Sequence, residues 1–182
     1  MAAYLVLFAA VLSRILPVTL HANGLNFTAV GGGLLFFGAR RSRIHTVAAV
    51  LALMASDYWL TVYGYHYAFQ LSAYLPTWAW YAAVCLAGHQ LLNRKPSAVR
   101  VGVAVLASST SFFLISNLVV WVASGMYAHS LAGLATCFTL AIPFYANDMF
   151  STALTAGALF GLPALATSIA ASLREARAMQ SL

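Results

Sequence analysis

Only three of the 182 residues are acidic, and two of them stand inside apolar runs. Asp57 follows "LALMAS", and Asp148 lies in "PFYANDMF". Arg14 interrupts a third apolar run, "MAAYLVLFAAVLSRILPVTL", and Asn117 a fourth, "SSTSFFLISNLVVWV". A guanidinium, two carboxylates and a carboxamide can orient a polar ligand, or they can tie helices to one another. In apolar surroundings an unpaired charge costs several kcal/mol, so each of these groups calls for a partner or a wet cavity.

The surroundings are apolar throughout. The chain is 63% hydrophobic and 7% charged, with a mean hydropathy of +0.87. A soluble domain carries about 25% charged residues, so this chain lacks the polar surface to cover a water-facing globule. It reads as one integral membrane domain, residues 1–182. The net charge of +6 then marks a membrane face rather than a nucleic-acid partner. Cys85 and Cys137 lack the spacing of a zinc site or a disulfide framework. The first run has no basic residue ahead of it and no small residue in place for cleavage, so it reads as a retained span.

Six segments look able to cross a bilayer, at about 2–16, 27–39, 45–63, 77–92, 101–123 and 148–173. An apolar piece ended by Pro143, about 131–144, reads as a short re-entrant or interfacial helix before the last span. Charge sets the orientation. Arg40, Arg41 and Arg43 follow span two, Arg94, Lys95 and Arg100 follow span four, and Arg174 and Arg177 follow span six. Six crossings put all eight on one face, the cytoplasmic one, together with both termini. The expected fold is therefore an all-α six-helix membrane bundle in the plasma (inner) membrane of a cell.

This topology brings the polar groups into one layer. Spans one and three both run outward, which carries Arg14 and Asp57 to similar depths. Asn117 falls in the outer half of span five, and Asp148 at the outer end of span six. The outer loops are aromatic and polar: His21, Asn23 and Asn26 in the first, Tyr65 and His66 in the second, Tyr127 and His129 in the third. Trp121 shares a face of span five with Thr110 and Asn117. Such walls suit an outward-facing small-molecule pocket built from Arg14, Asp57, Asn117, Asp148, Tyr65, His66, Trp121 and Tyr127. They also suit an interfacial aromatic belt around a structural Arg14–Asp57 tie.

Other motifs carry less chemistry. His21, His66 and His129 have no metal-ligand spacing, so no metal or cofactor is expected. "AVGGGLL" lacks the Lys and Ser/Thr of a phosphate loop, and its glycines suit a close helix approach instead. Gly157 and Gly161, four residues apart, suit helix packing, either internal or against a partner. No HExxH, GxSxG or paired-acid motif is present, so the chain does not read as an enzyme.

The stretches "LNFTAVGGGLLFFGA", "MASDYWLT", "WAWYAAV", "SSTSFFLISNLVVW" and "GLATCFTLAIPFYANDMFSTALTAGALFG" resemble, in order, landmarks of an uncharacterised family of bacterial membrane proteins. That family is similar in turn to the S-components of energy-coupling-factor (ECF) vitamin transporters, including solitary cobalamin-transporter relatives. The resemblance implies a six-helix bundle with a substrate pocket open to the outside and a coupling subunit with ATPases as partner. The Ala-x-x-x-Ala stripe usual on the first helix of S-components is reduced here to Ala9 and Ser13, and the cobalamin relatives' cysteine has no clear counterpart. Two functions follow as expectations: a substrate-binding subunit for uptake of a small molecule, or a non-transporting assembly subunit of a membrane complex.

Overall fold

The computed structural model describes residues 1–20, 27–94 and 96–180. The described residues are helical throughout, with no strand among them. The α-helices are α1 (Ala2–Thr19), α2 (Val30–Arg40), α3 (Thr46–Trp59), α4 (Leu71–Leu92), α5 (Ala98–Ala123), α6 (Leu131–Ala156) and α7 (Leu162–Gln180). A 3-10 turn, Arg43–His45, leads into α3, and wide π-type turns follow α3 (Leu60–Gly64) and join α6 to α7 (Gly157–Gly161). Four helical runs are long and apolar enough to cross a membrane: Ala2–Thr19, Arg43–Gly64, Ala98–Ala123 and Leu131–Arg174.

Cross-contacts fix the directions. Ser13 on α1 meets Ala29 at the start of α2, and Tyr4 meets Phe37 near the end of α2, so these two run antiparallel. Tyr4 also meets His45 and Arg14 meets Asp57, so α1 and α3 run parallel. On α5 and α6, Thr110 pairs with Tyr145 and Trp121 with Ala128 at the far end, again antiparallel.

At the centre lies α2. Its first ten residues, Val30 to Ala39, are all buried, although its 11 residues span only about 16 Å. It is wrapped by α1, α3, α4, α5 and α6. Glycine makes this possible. A methyl group on Gly38 would collide with the Cys85 carbonyl of α4, and one on Gly88 with the Leu35 carbonyl of α2. On the other side, Gly31 and Gly32 lie against Thr152, Thr155 and Ala156 of α6. The close approach expected of the glycines in "AVGGGLL" is met at Gly31 and Gly32, while Gly38 and Gly88 add a second close contact that the motif did not announce.

The outer faces of the bundle are apolar. Leu5, Phe8, Leu51, Val103, Leu106 and Leu140 are among the many large hydrophobic side chains left exposed, a surface that suits lipid rather than water. The buried core is narrow by comparison and gathers around α2 and the inner faces of α1, α3, α4 and α5.

The structure corrects one expectation about the last part of the chain. Residues 131–144 are not a separate re-entrant piece. They form the first half of α6, which passes through Pro143 without a break and continues by way of the π-type turn into α7. A proline removes one backbone bond. In apolar surroundings the neighbouring amides find partners only within the helix, so the helix persists. Pro17 and Pro76 are likewise inside α1 and α4. Asp148 consequently lies about 25 Å along α6 from Leu131 at 1.5 Å per residue, well inside the helix rather than at its end.

Candidate functional site

A charged layer crosses the bundle at the level where α2 begins. Arg14 of α1 sends one nitrogen to the Asp57 carboxylate at 2.5 Å and another to the Ser56 hydroxyl at 2.9 Å. Asp57 is buried and accepts two more donors from α4, Trp78 Nε1 at 2.9 Å and the Tyr81 hydroxyl at 3.4 Å. Three helices are joined through this one carboxylate. Trp78 and Tyr81 are three residues apart, which puts both polar tips on one face of α4. The spacing in "WAWYAAV" is the signal for these partners, because Trp and Tyr bury their rings only when the N–H or O–H finds an acceptor.

Directly beside this tie, α2 starts. No side chain among the described residues caps it, and the amide of Ala29, the residue before it, donates to Ser13 Oγ at 2.9 Å. Ser13 thus holds the entry of the central helix rather than an exposed packing stripe. A cavity of about 280 Å³ opens at this point. Its walls come from five helices: Arg14 of α1, Val30 and Gly31 of α2 with the preceding Thr28, Trp80 and Tyr81 of α4, Phe112 of α5, and Phe144 and Asp148 of α6. Phe144 is 63% exposed and stands at the rim. Asp148 Oδ2 is buried and has no hydrogen-bond partner among the described residues.

Trp80 closes the cavity on one side. Its Nε1 donates to Ser111 Oγ at 2.9 Å, and its ring leans on Phe112 with centroids 4.7 Å apart. Behind it lies a larger groove of about 470 Å³ between α4 and α5, lined by Ala79, Ala83, Ala87, Ala104 and other small or apolar residues. Among the described residues no charged side chain lines that groove.

The expected site residues therefore divide. Arg14 and Asp148 line the cavity. Asp57 sits behind Arg14 and is engaged by its own partners. Asn117 bonds its own helix, Nδ2 to the Phe113 carbonyl at 2.8 Å, and Trp121 bonds the Ala128 carbonyl at 3.0 Å. Tyr65 and His66 are exposed in the α3–α4 connection, and Tyr127 lies in the α5–α6 connection. None of these lines the cavity. Its aromatic walls are Trp80, Tyr81, Phe112 and Phe144 instead, which helix interiors supply and the loops do not. Gly157 and Gly161 have open space where a side chain would stand, so they make no internal close contact. His21, Asn23, Asn26 and Lys95 lie outside the described residues. Among the described residues no group of His, Cys, Asp and Glu is placed to hold a metal ion.

Residues 1–174 match the profile of a family of unknown function (DUF6580), and the chain belongs to that family. No curated protein matches the chain, and no solved structure matches it.

Proposed function

We propose that this family member is a membrane-embedded binding protein for a small molecule, in the manner of a transporter's substrate-binding subunit. The observation that carries this reading is the cavity at the start of α2. It joins a cation, a carboxylate and four aromatic rings from five helices, the mix of apolar wall and few polar groups that ligand pockets use. Of the buried side-chain atoms left without a hydrogen bond among the described residues, Asp148 Oδ2 is the one whose residue lines this cavity.

The proposed setting is the plasma (inner) membrane, with α1 to α6 as six crossings and both termini in the cytoplasm. Arg40, Arg41, Arg43, Arg94 and Arg100 all lie at the end of the bundle that holds the start of α1, the side the charge rule makes cytoplasmic. The cavity then faces outward for uptake. Nothing in the chain resembles a nucleotide site, so transport would draw on a membrane coupling subunit with ATPases, as the likeness to ECF S-components implies.

A second reading, an assembly subunit without transport, draws on two features. Asp57 is saturated and serves as a tie, and Gly157 and Gly161 face open space where a partner helix could pack. Thermal denaturation in mild detergent separates the two. Metabolite-extract fractions should raise the melting temperature of wild type and fail to do so for Asp148→Asn. If no fraction stabilises wild type, the binding-protein reading falls and the assembly reading takes its place.

A further inference from the structure

We infer that the ligand of this cavity is an organic cation, a protonated amine or quaternary ammonium, seated against Asp148. This rests on the cavity being a ligand site and adds the charge of what fills it. Three charges meet in the layer. Two of them cancel: Arg14 and Asp57 are in contact at 2.5 Å, and Ser56, Trp78 and Tyr81 complete their hydrogen bonds. The third, Asp148, has no cation beside it in any ion pair among the described residues. Its polar neighbour is the uncharged Ser109 hydroxyl of α5, and its buried Oδ2 accepts no hydrogen bond within bonding distance from the described residues.

The start of α2 contributes a positive partial charge to the same cavity, about half an elementary charge. An ionised Asp148 outweighs that partial charge, and a cation seated beside the buried carboxylate is what would hold it in its ionised form. An anionic ligand would add to an unbalanced carboxylate, whereas a cation would complete it. The remaining walls point the same way. Trp80, Tyr81, Phe112 and Phe144 present four rings in a space of about 280 Å³, and aromatic faces attract ammonium groups most strongly where water is excluded. The neutralised Arg14 and the amides at the start of α2 leave room for a hydroxyl or carboxylate at the other end of the same ligand.

Calorimetric titration of the full chain in mild detergent tests this with benzylammonium and choline as probes, and benzyl alcohol and benzoate as matched neutral and anionic controls. Both cations should bind wild type at least tenfold more tightly than either control. Asp148→Asn should lose at least tenfold in affinity for the cations, while Phe112→Leu, which keeps the carboxylate, should lose severalfold. The comparison of benzylammonium with benzyl alcohol needs no variant, so it stands even if Asp148→Asn does not fold. Equal or tighter binding of benzyl alcohol or benzoate would overturn the charge assignment while leaving a ligand site in place. Absence of binding by both cations would also overturn it, and extract fractions that still stabilise wild type would then show the site reading surviving without it.

Discussion

Asp57 and Asp148 are the same side chain in two different situations. Asp57 is surrounded by donors from α1 and α4, and removing one partner leaves a buried charge uncompensated. Arg14→Ala should therefore destabilise the fold by about 3–5 kcal/mol. Arg14→Met combined with Asp57→Leu should recover most of that loss, because an apolar pair of similar volume removes both desolvation costs. Denaturation midpoints of the two variants in detergent check this, and an equal loss in both would count against the tie. Asn117 offers a contrast: its amide bonds its own helix, so Asn117→Leu should cost no more than about 1 kcal/mol. Much of the charged layer is legible in the sequence, since an Arg and an Asp at matched depth in apolar helices have few options. The role of Asn117 is not, because nothing in the type or position of a carboxamide reveals whether it turns back to its own backbone. The aromatic walls are hidden for a different reason. Trp80 sits in a largely apolar stretch, where periodicity has no polar face to work against, and Phe112 follows the hydroxyl run Ser108–Ser111, whose polar face draws attention to Thr110 and Asn117 instead.

At the scale of elements, α2 determines the rest. It is buried on every side, so its sequence shows no amphipathic period, and as a crossing it is short and enclosed by protein rather than lipid. What the sequence does show is glycine, and the glycines predict which substitutions the fold will refuse. Gly38→Ala and Gly88→Ala each drive a methyl into a backbone carbonyl of the facing helix and should prevent monodisperse purification. Gly157→Ala and Gly161→Ala meet nothing within 4 Å and should leave the melting temperature unchanged or slightly raised, since Ala is the better helix former. Size-exclusion profiles and melting curves of the four variants separate these groups. The merging of residues 131–144 into α6 is not legible in the sequence, because Pro143 reads as a stop in water and is tolerated where helix neighbours leave no alternative partner.

For the whole molecule, alternating helices and the placement of arginines imply a sidedness that can be tested directly. Val99 and Met126, at opposite ends of α5, are 74% and 72% exposed, and both native cysteines are buried. In intact cells a membrane-impermeant thiol reagent should label Met126→Cys and spare Val99→Cys until the membrane is opened. Labelling of Val99→Cys alone would invert the topology and turn the cavity toward the cytoplasm. An all-helical chain with helices apolar enough to cross a membrane is readable from composition, because lipid leaves the chain few ways to satisfy its backbone.

The central claim is that the cavity between Arg14, Asp148 and the start of α2 is a ligand site. Native mass spectrometry of gently purified wild type beside Phe112→Trp, which fills the cavity from its α5 wall, tests it most directly. A ligand site predicts a reproducible small-molecule adduct on wild type that is absent from Phe112→Trp, while the variant still purifies as a folded, monodisperse protein. Identical spectra for the two proteins, bare or carrying only lipid, would contradict it.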